Sequence, residues 1–130
     1  MASFFLVLSA KQKLEILVIP NIEKSFYDNN QMRYLFEKEN GKKHGLSKYW
    51  DEEGNIINTV EYFYGKIHGE WIRYYSNGRI KSITMYEFDK KNGYEKTFYE
   101  NGNIKSKVLY KDDKKVSEMS RWNENGILMN

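Results

Sequence analysis

The chain has no cysteine, one proline, two histidines and little net charge. Each shortage removes a class of explanation. Without cysteine there is no disulfide framework and no thiolate zinc site, which points to a reducing setting. With Pro20 as the single proline, glycine, asparagine and aspartate must supply the turns. The apolar run Phe4–Leu8 is five residues long, far short of the roughly 20 that span a bilayer. It follows an uncharged start, whereas a secretory leader has basic residues before an apolar stretch of roughly 7–15. A cytoplasmic protein is expected, with an exported one cleaved near Ala10 as the alternative. The 21 Lys+Arg against 18 Asp+Glu leave only +3. Dedicated nucleic-acid binders carry a clustered excess instead.

What the chain has in plenty is aromatic residues, 16% of the total, and a repeat. On a spacing of 24, glycines fall at 54, 78, 102 and 126, each followed two residues later by Ile56, Ile80, Ile104 or Leu128. Four residues before each glycine stand Trp50, Tyr74, Phe98 and Trp122. Twelve before three of those aromatics stand Tyr62, Tyr86 and Tyr110. A second glycine recurs at 45, 69 and 93 and lapses to Ser117. Four copies therefore follow one another without insertion.

The stretches "SNGR", "ENGN" and "NENG" read as Asn-Gly hairpin turns of type I′, which need positive φ at both central residues. The runs between turns are short and rich in Tyr, Ile, Val, Thr and Phe, which is strand composition. Helices fail because glycine returns too often. The expected fold is all-β. It is an antiparallel meander of about four hairpins in one twisted open sheet, residues 31–130. Residues 1–30 are expected as an N-terminal segment, strand or helix, that is part of the fold and packs on or beside the sheet.

The pattern in "GKIHGEWIRYYSNGRI", residues 65–80, resembles the MORN repeat, more closely its bacterial variant. That variant is found in the YwqK family of antitoxins. The resemblance implies a non-enzymatic module that neutralises another protein by covering its surface. The first unit departs from the pattern with a longer loop, and the fourth replaces both opening-turn glycines by Asp113 and Ser117. Terminal units of repeat arrays are commonly atypical.

Because 24 is even, side-chain parity is kept from unit to unit. With regular pairing, Val60, Tyr62, Tyr64, Tyr86, Phe88, Val108 and Tyr110 share a packed face with Trp50, Tyr74, Phe98 and Trp122. The odd face then holds Tyr49, Trp71, Arg73, Tyr75, Met85 and Tyr99, which are taken as the partner-binding set. Such residue types dominate interface hot spots. The competing reading covers that face with Phe4–Leu8 and Leu14–Ile19 as a second layer. A lysine stripe at Lys42, Lys66, Lys90 and Lys114 is the candidate for anion contact, to nucleic acid or anionic lipid. More often such turn lysines keep a sheet soluble. His44 and His68 precede equivalent glycines and read as turn consensus, since metal sites take three or more ligands. No cofactor, metal or catalytic constellation is expected. A protein partner is the first expectation, and a homodimer through the sheet edges is kept as an alternative.

Overall fold

The computed structural model describes residues 21–129. Its strands are β1 (Asn21–Phe26), β2 (Met32–Glu39), β3 (Lys42–Trp50), β4 (Ile56–Phe63), β5 (Lys66–Tyr74) and β6 (Ile80–Glu87). They continue as β7 (Lys90–Phe98), β8 (Ile104–Lys111), β9 (Lys114–Lys115), β10 (Ser120–Trp122) and β11 (Leu128–Met129). All lie in one open sheet in chain order, every pair antiparallel, with β9 and β10 both alongside β8. The all-β hairpin meander is therefore as the repeat predicts. The segments Phe4–Leu8 and Leu14–Ile19 lie outside the described residues. The sheet itself starts before residue 31: Tyr27 and Asn30 occupy the repeat positions of Asp51 and Gly54, and β1 pairs with β2.

The two turn types are exchanged relative to expectation. The two-residue type I′ turns are Asn40-Gly41, Tyr64-Gly65, Phe88-Asp89 and Asp112-Asp113, with positive φ at both positions. The Asn-Gly turns are three-residue loops. Tyr75 N–H donates to Arg79 O at 2.8 Å and Gly78 N–H to Tyr75 O at 2.9 Å. Only the glycine takes a positive φ, +82° at Gly78. This is a type I turn closed by a left-handed residue. Asn77 serves through its side chain, whose Oδ1 accepts Arg79 N–H at 2.9 Å.

That longer loop breaks the parity argument. Tyr74 pairs with Ile80, but Arg73 pairs with Ser82, so Lys81 is an extra residue in a bulge. The same shift leaves Ile57 and Lys105 unpaired. Directly opposed residues share a face. Val60 opposes Ser47 and Trp71, so even positions of one strand share a face with odd positions of the next. Trp50, Tyr74, Phe98 and Trp122 thus share one face among themselves. It is the face opposite Val60, Tyr62, Tyr86, Val108 and Tyr110, a correction to the single packed face expected from sequence. Tyr64 and Phe88 lie on neither face, because both sit in the type I′ turns.

The inner face carries the core. Phe36, Ser47, Val60 and Val108 are buried there, Val108 at 1% exposure, whereas among the described residues only Thr59 is buried on the outer face. Inner-face tyrosines lie across glycines of the neighbouring strand, Tyr62 opposite Gly45, Tyr86 opposite Gly69 and Tyr110 opposite Gly93. Gly69 sits at φ +116° in a bulge of β5 against β4, which an L side chain rarely adopts. Among the described residues no second layer covers this face, and long side chains lie down on it instead. Lys43 Nζ sits 3.8 Å from the Phe36 ring centroid and 5.0 Å from that of Tyr62.

Successive hairpins are tied at both rims. At the type I′ rim, Asp89 N–H donates to Ile67 O at 2.9 Å, and Asp89 Oδ1 accepts Ile67 N–H at 2.8 Å. Asp113 and Lys91 repeat the exchange one unit later. At the Asn-Gly rim, the hydroxyls of Tyr27, Tyr75 and Tyr99 donate to Trp50, Phe98 and Trp122 carbonyls, each at 2.8 Å.

Candidate interaction surface

The inner face brings together three of the six residues proposed from sequence. Tyr49, Trp71 and Arg73 lie on it, Arg73 directly opposite Asn58 and Ser82. The exposed Arg73 guanidinium stacks 4.9 Å from the Trp71 ring, and Trp71 stands 5.9 Å from Tyr86. The buried Trp71 Nε1–H has no acceptor among the described residues. An unmet indole donor costs about 1–3 kcal/mol, so it marks a place where the fold is not optimised for itself.

The other three are elsewhere. Met85 opposes Glu70 on the outer face, packed where Gly93 has no side chain. Tyr75 and Tyr99 stand in the Asn-Gly loops with hydroxyls committed to the next hairpin. Their rings carry Lys81 and Lys105 at 5.5 and 5.3 Å. The six do not form one surface. The lysine stripe is real as a row: Lys42, Lys66, Lys90 and Lys114 are exposed at equivalent positions after the type I′ turns. Glu39 and Glu87 stand opposite Lys42 and Lys90 and offset their charge.

Burial sets the electrostatics of the inner face. It raises the Tyr49 and Tyr62 hydroxyls above the usual phenol range, the Lys43 ammonium pulling Tyr62 part of the way back. Tyr86 is raised for the same reason, against the pull of Lys91. Burial works to lower Lys91, but its bond to Glu95 at 2.5 Å wins and holds the ammonium above its ordinary value.

One feature of the rim was not foreseen in the sequence. Phe63, Tyr64 and Phe88 are 45%, 38% and 47% exposed. His44 packs against Tyr64 at 4.3 Å, and His68 against Phe88 at 4.6 Å. Tyr64 N–H donates to His44 Nδ1 at 3.3 Å. Bulky residues in the left-handed region cost about 1–2 kcal/mol each, and Tyr64 and Phe88 bear that cost at φ +44° and +47°. The signal was present in the spacing: only two residues separate Phe63 from Lys66, so position 64 must lie in the turn.

The family model described as MORN repeat variant matches residues 43–63, 67–87 and 91–112. Residues 43–112 are MORN repeats. Each match runs from just after one type I′ turn to the next, so one MORN unit is β3–β4, β5–β6 or β7–β8. The pairs β1–β2 and β10–β11 flank the matched MORN units and keep their three-residue loops. No curated protein matches the chain.

Proposed function

We propose that this MORN chain is a non-enzymatic protein-binding module that inhibits or neutralises a partner by covering its surface. The observation that carries the reading is the Trp71–Arg73 pair. It sets an exposed guanidinium on an indole whose donor is unmet among the described residues, in the middle of a sheet face that no other described element covers. Trp and Arg are the side chains that most often dominate binding energy. A standard interface needs about 800 Å² per partner, and six neighbouring strands of 8–9 residues, a face of about 29 by 28 Å, supply that. The antitoxin resemblance agrees with neutralisation, and a phage-type inhibitor would work by the same occlusion. A polyanion reading through Lys42, Lys66, Lys90 and Lys114 has less support, because Glu39 and Glu87 partly cancel the row.

The test is Trp71→Ala combined with Arg73→Ala, with circular dichroism confirming the sheet. Capture of the partner from the source cell falls at least about tenfold, the loss of one hot-spot pair. Unchanged capture by the folded double variant refutes the assignment.

A further inference from the structure

The inner face has a row that the Trp71–Arg73 pair only begins. Across the sheet from Arg73 run Ser82, Thr97 and Ser106, then Arg121. The hydroxyls are short, and Thr97 and Ser106 bond each other at 2.5 Å, so they floor a trough with an exposed guanidinium at each end. The unpaired bulge residues Lys81 and Lys105 adjoin Ser82 and Ser106 in sequence and are exposed, with their ammoniums at the Asn-Gly rim over the Tyr75 and Tyr99 rings, so they border the row at that end of the strands. Arg73, Lys81, Lys105 and Arg121 form no ion pair among the described residues. The inner-face carboxylates are already engaged, Glu23 by Lys38 and Glu95 by Lys91.

We infer that this trough docks an acidic, extended segment of the partner protein, laid across the strands. The inference rests on the protein-binding reading and narrows its chemistry. From Arg73 on β5 to Arg121 on β10 is four strand spacings, about 19 Å at roughly 4.8 Å each. An extended chain covers that distance in about six residues at roughly 3.3 Å per residue. Residues six apart in an extended chain point to the same side, so carboxylates at i and i+6 reach both guanidiniums. Each guanidinium is a fork suited to bidentate carboxylate binding. Serine and threonine hydroxyls between them can bond the intervening backbone.

Other occupants fit less well. Single-stranded nucleic acid binds by stacking bases on open aromatic faces. Here three of those faces already carry a cation: Lys43 lies over Phe36 at 3.8 Å, Arg73 over Trp71 at 4.9 Å and Lys91 over Tyr110 at 4.7 Å. A second copy would set this cationic row against itself.

The experiment uses the full chain and a fluorescent peptide of alternating Glu and Ser, about twelve residues, or two such spans. Anisotropy is read at low and high salt. The Glu peptide binds at low salt, and its Gln counterpart does not. Arg73→Gln with Arg121→Gln weakens binding at least about tenfold, as loss of charge-assisted forks should. Lys81→Gln with Lys105→Gln weakens it less, and Lys42→Gln with Lys66→Gln leaves it unchanged. Equal binding of the Gln peptide overturns the inference, as does equal loss in the Lys42/Lys66 control. So does tighter binding of an oligothymidylate of matched charge. If partner capture still depends on Trp71 and Arg73 while the Glu peptide fails to bind, only the acidic chemistry falls. If capture is independent of both residues, the broader reading falls with it.

Discussion

Replacing Tyr75 and Tyr99 by Phe tests whether these rings anchor a partner or hold the sheet together. Each hydroxyl donates to a carbonyl in the next hairpin at 2.8 Å in a half-buried setting. A bond of this kind contributes about 0.5–1.5 kcal/mol net, so the double variant loses about 2 kcal/mol. The two ties meet at one peptide unit, since Tyr75 reaches the carbonyl of Phe98 and Tyr99 follows it. Coupling between the single changes is therefore expected. With a urea m-value of about 2 kcal/mol/M, the unfolding midpoint falls by about 1 M. Repeat arrays can lose cooperativity, so amide exchange is the companion assay. Protection should drop first in residues 75–79 and 99–103. Tyr94→Phe, on a ring 43% exposed, is the control and should leave the midpoint in place. An unchanged midpoint with weakened partner capture would refute the structural role and restore both tyrosines as anchors.

Two further expectations concern backbone and pH. Gly69→Ala places a methyl against the Glu61 carboxylate, which accepts Glu70 N–H at 2.7 Å, at φ +116°. The carboxylate of Glu61 can swing away, but its Cβ, 3.0 Å from the added methyl, and the strained backbone stay, so urea unfolding should show a loss of about 1–3 kcal/mol. Asp51 feels slight burial that raises it, outweighed by bonds from the Asn55 side chain and the loop backbone that lower it. A lowered carboxylate adds stability above its ordinary value of about 4 and loses it as pH falls through the folded value. Asp51→Asn should flatten that acid limb. The raised phenols of Tyr49, Tyr62 and Tyr86 act at the other end. Their contribution is complete below about pH 10 and lost above it, and phenolate absorbance should show a late-titrating fraction.

The architecture was legible because its signals are local and periodic. Glycine, isoleucine and an aromatic at fixed offsets define a hairpin whatever its turn type. The faces were not legible, because they hang on one residue per unit. Nothing about Lys81 or Lys105 in the sequence marks it as unpaired, yet each reverses the parity of the strand that follows. Tyr75 and Tyr99 read as partner anchors and not as ties because Asp51 and Asn123 replace them in other units. The replacements do a different local job, Asp51 Oδ1 accepting Asn55 N–H at 2.7 Å. The first hairpin escaped notice because Asn30 takes the left-handed position, φ +65°, that glycine marks elsewhere.

The rim ties join equivalent atoms of neighbouring hairpins, always about one period apart along the chain. Excising a whole period between matching points, for example residues 67–90, would therefore bring together partners of the same kind that were two hairpins apart. The molecule can shorten or lengthen in steps of two strands while the bonding scheme stays intact. A deletion of any other size must break it, so lineages of such a chain should differ by whole periods and seldom by fractions of one.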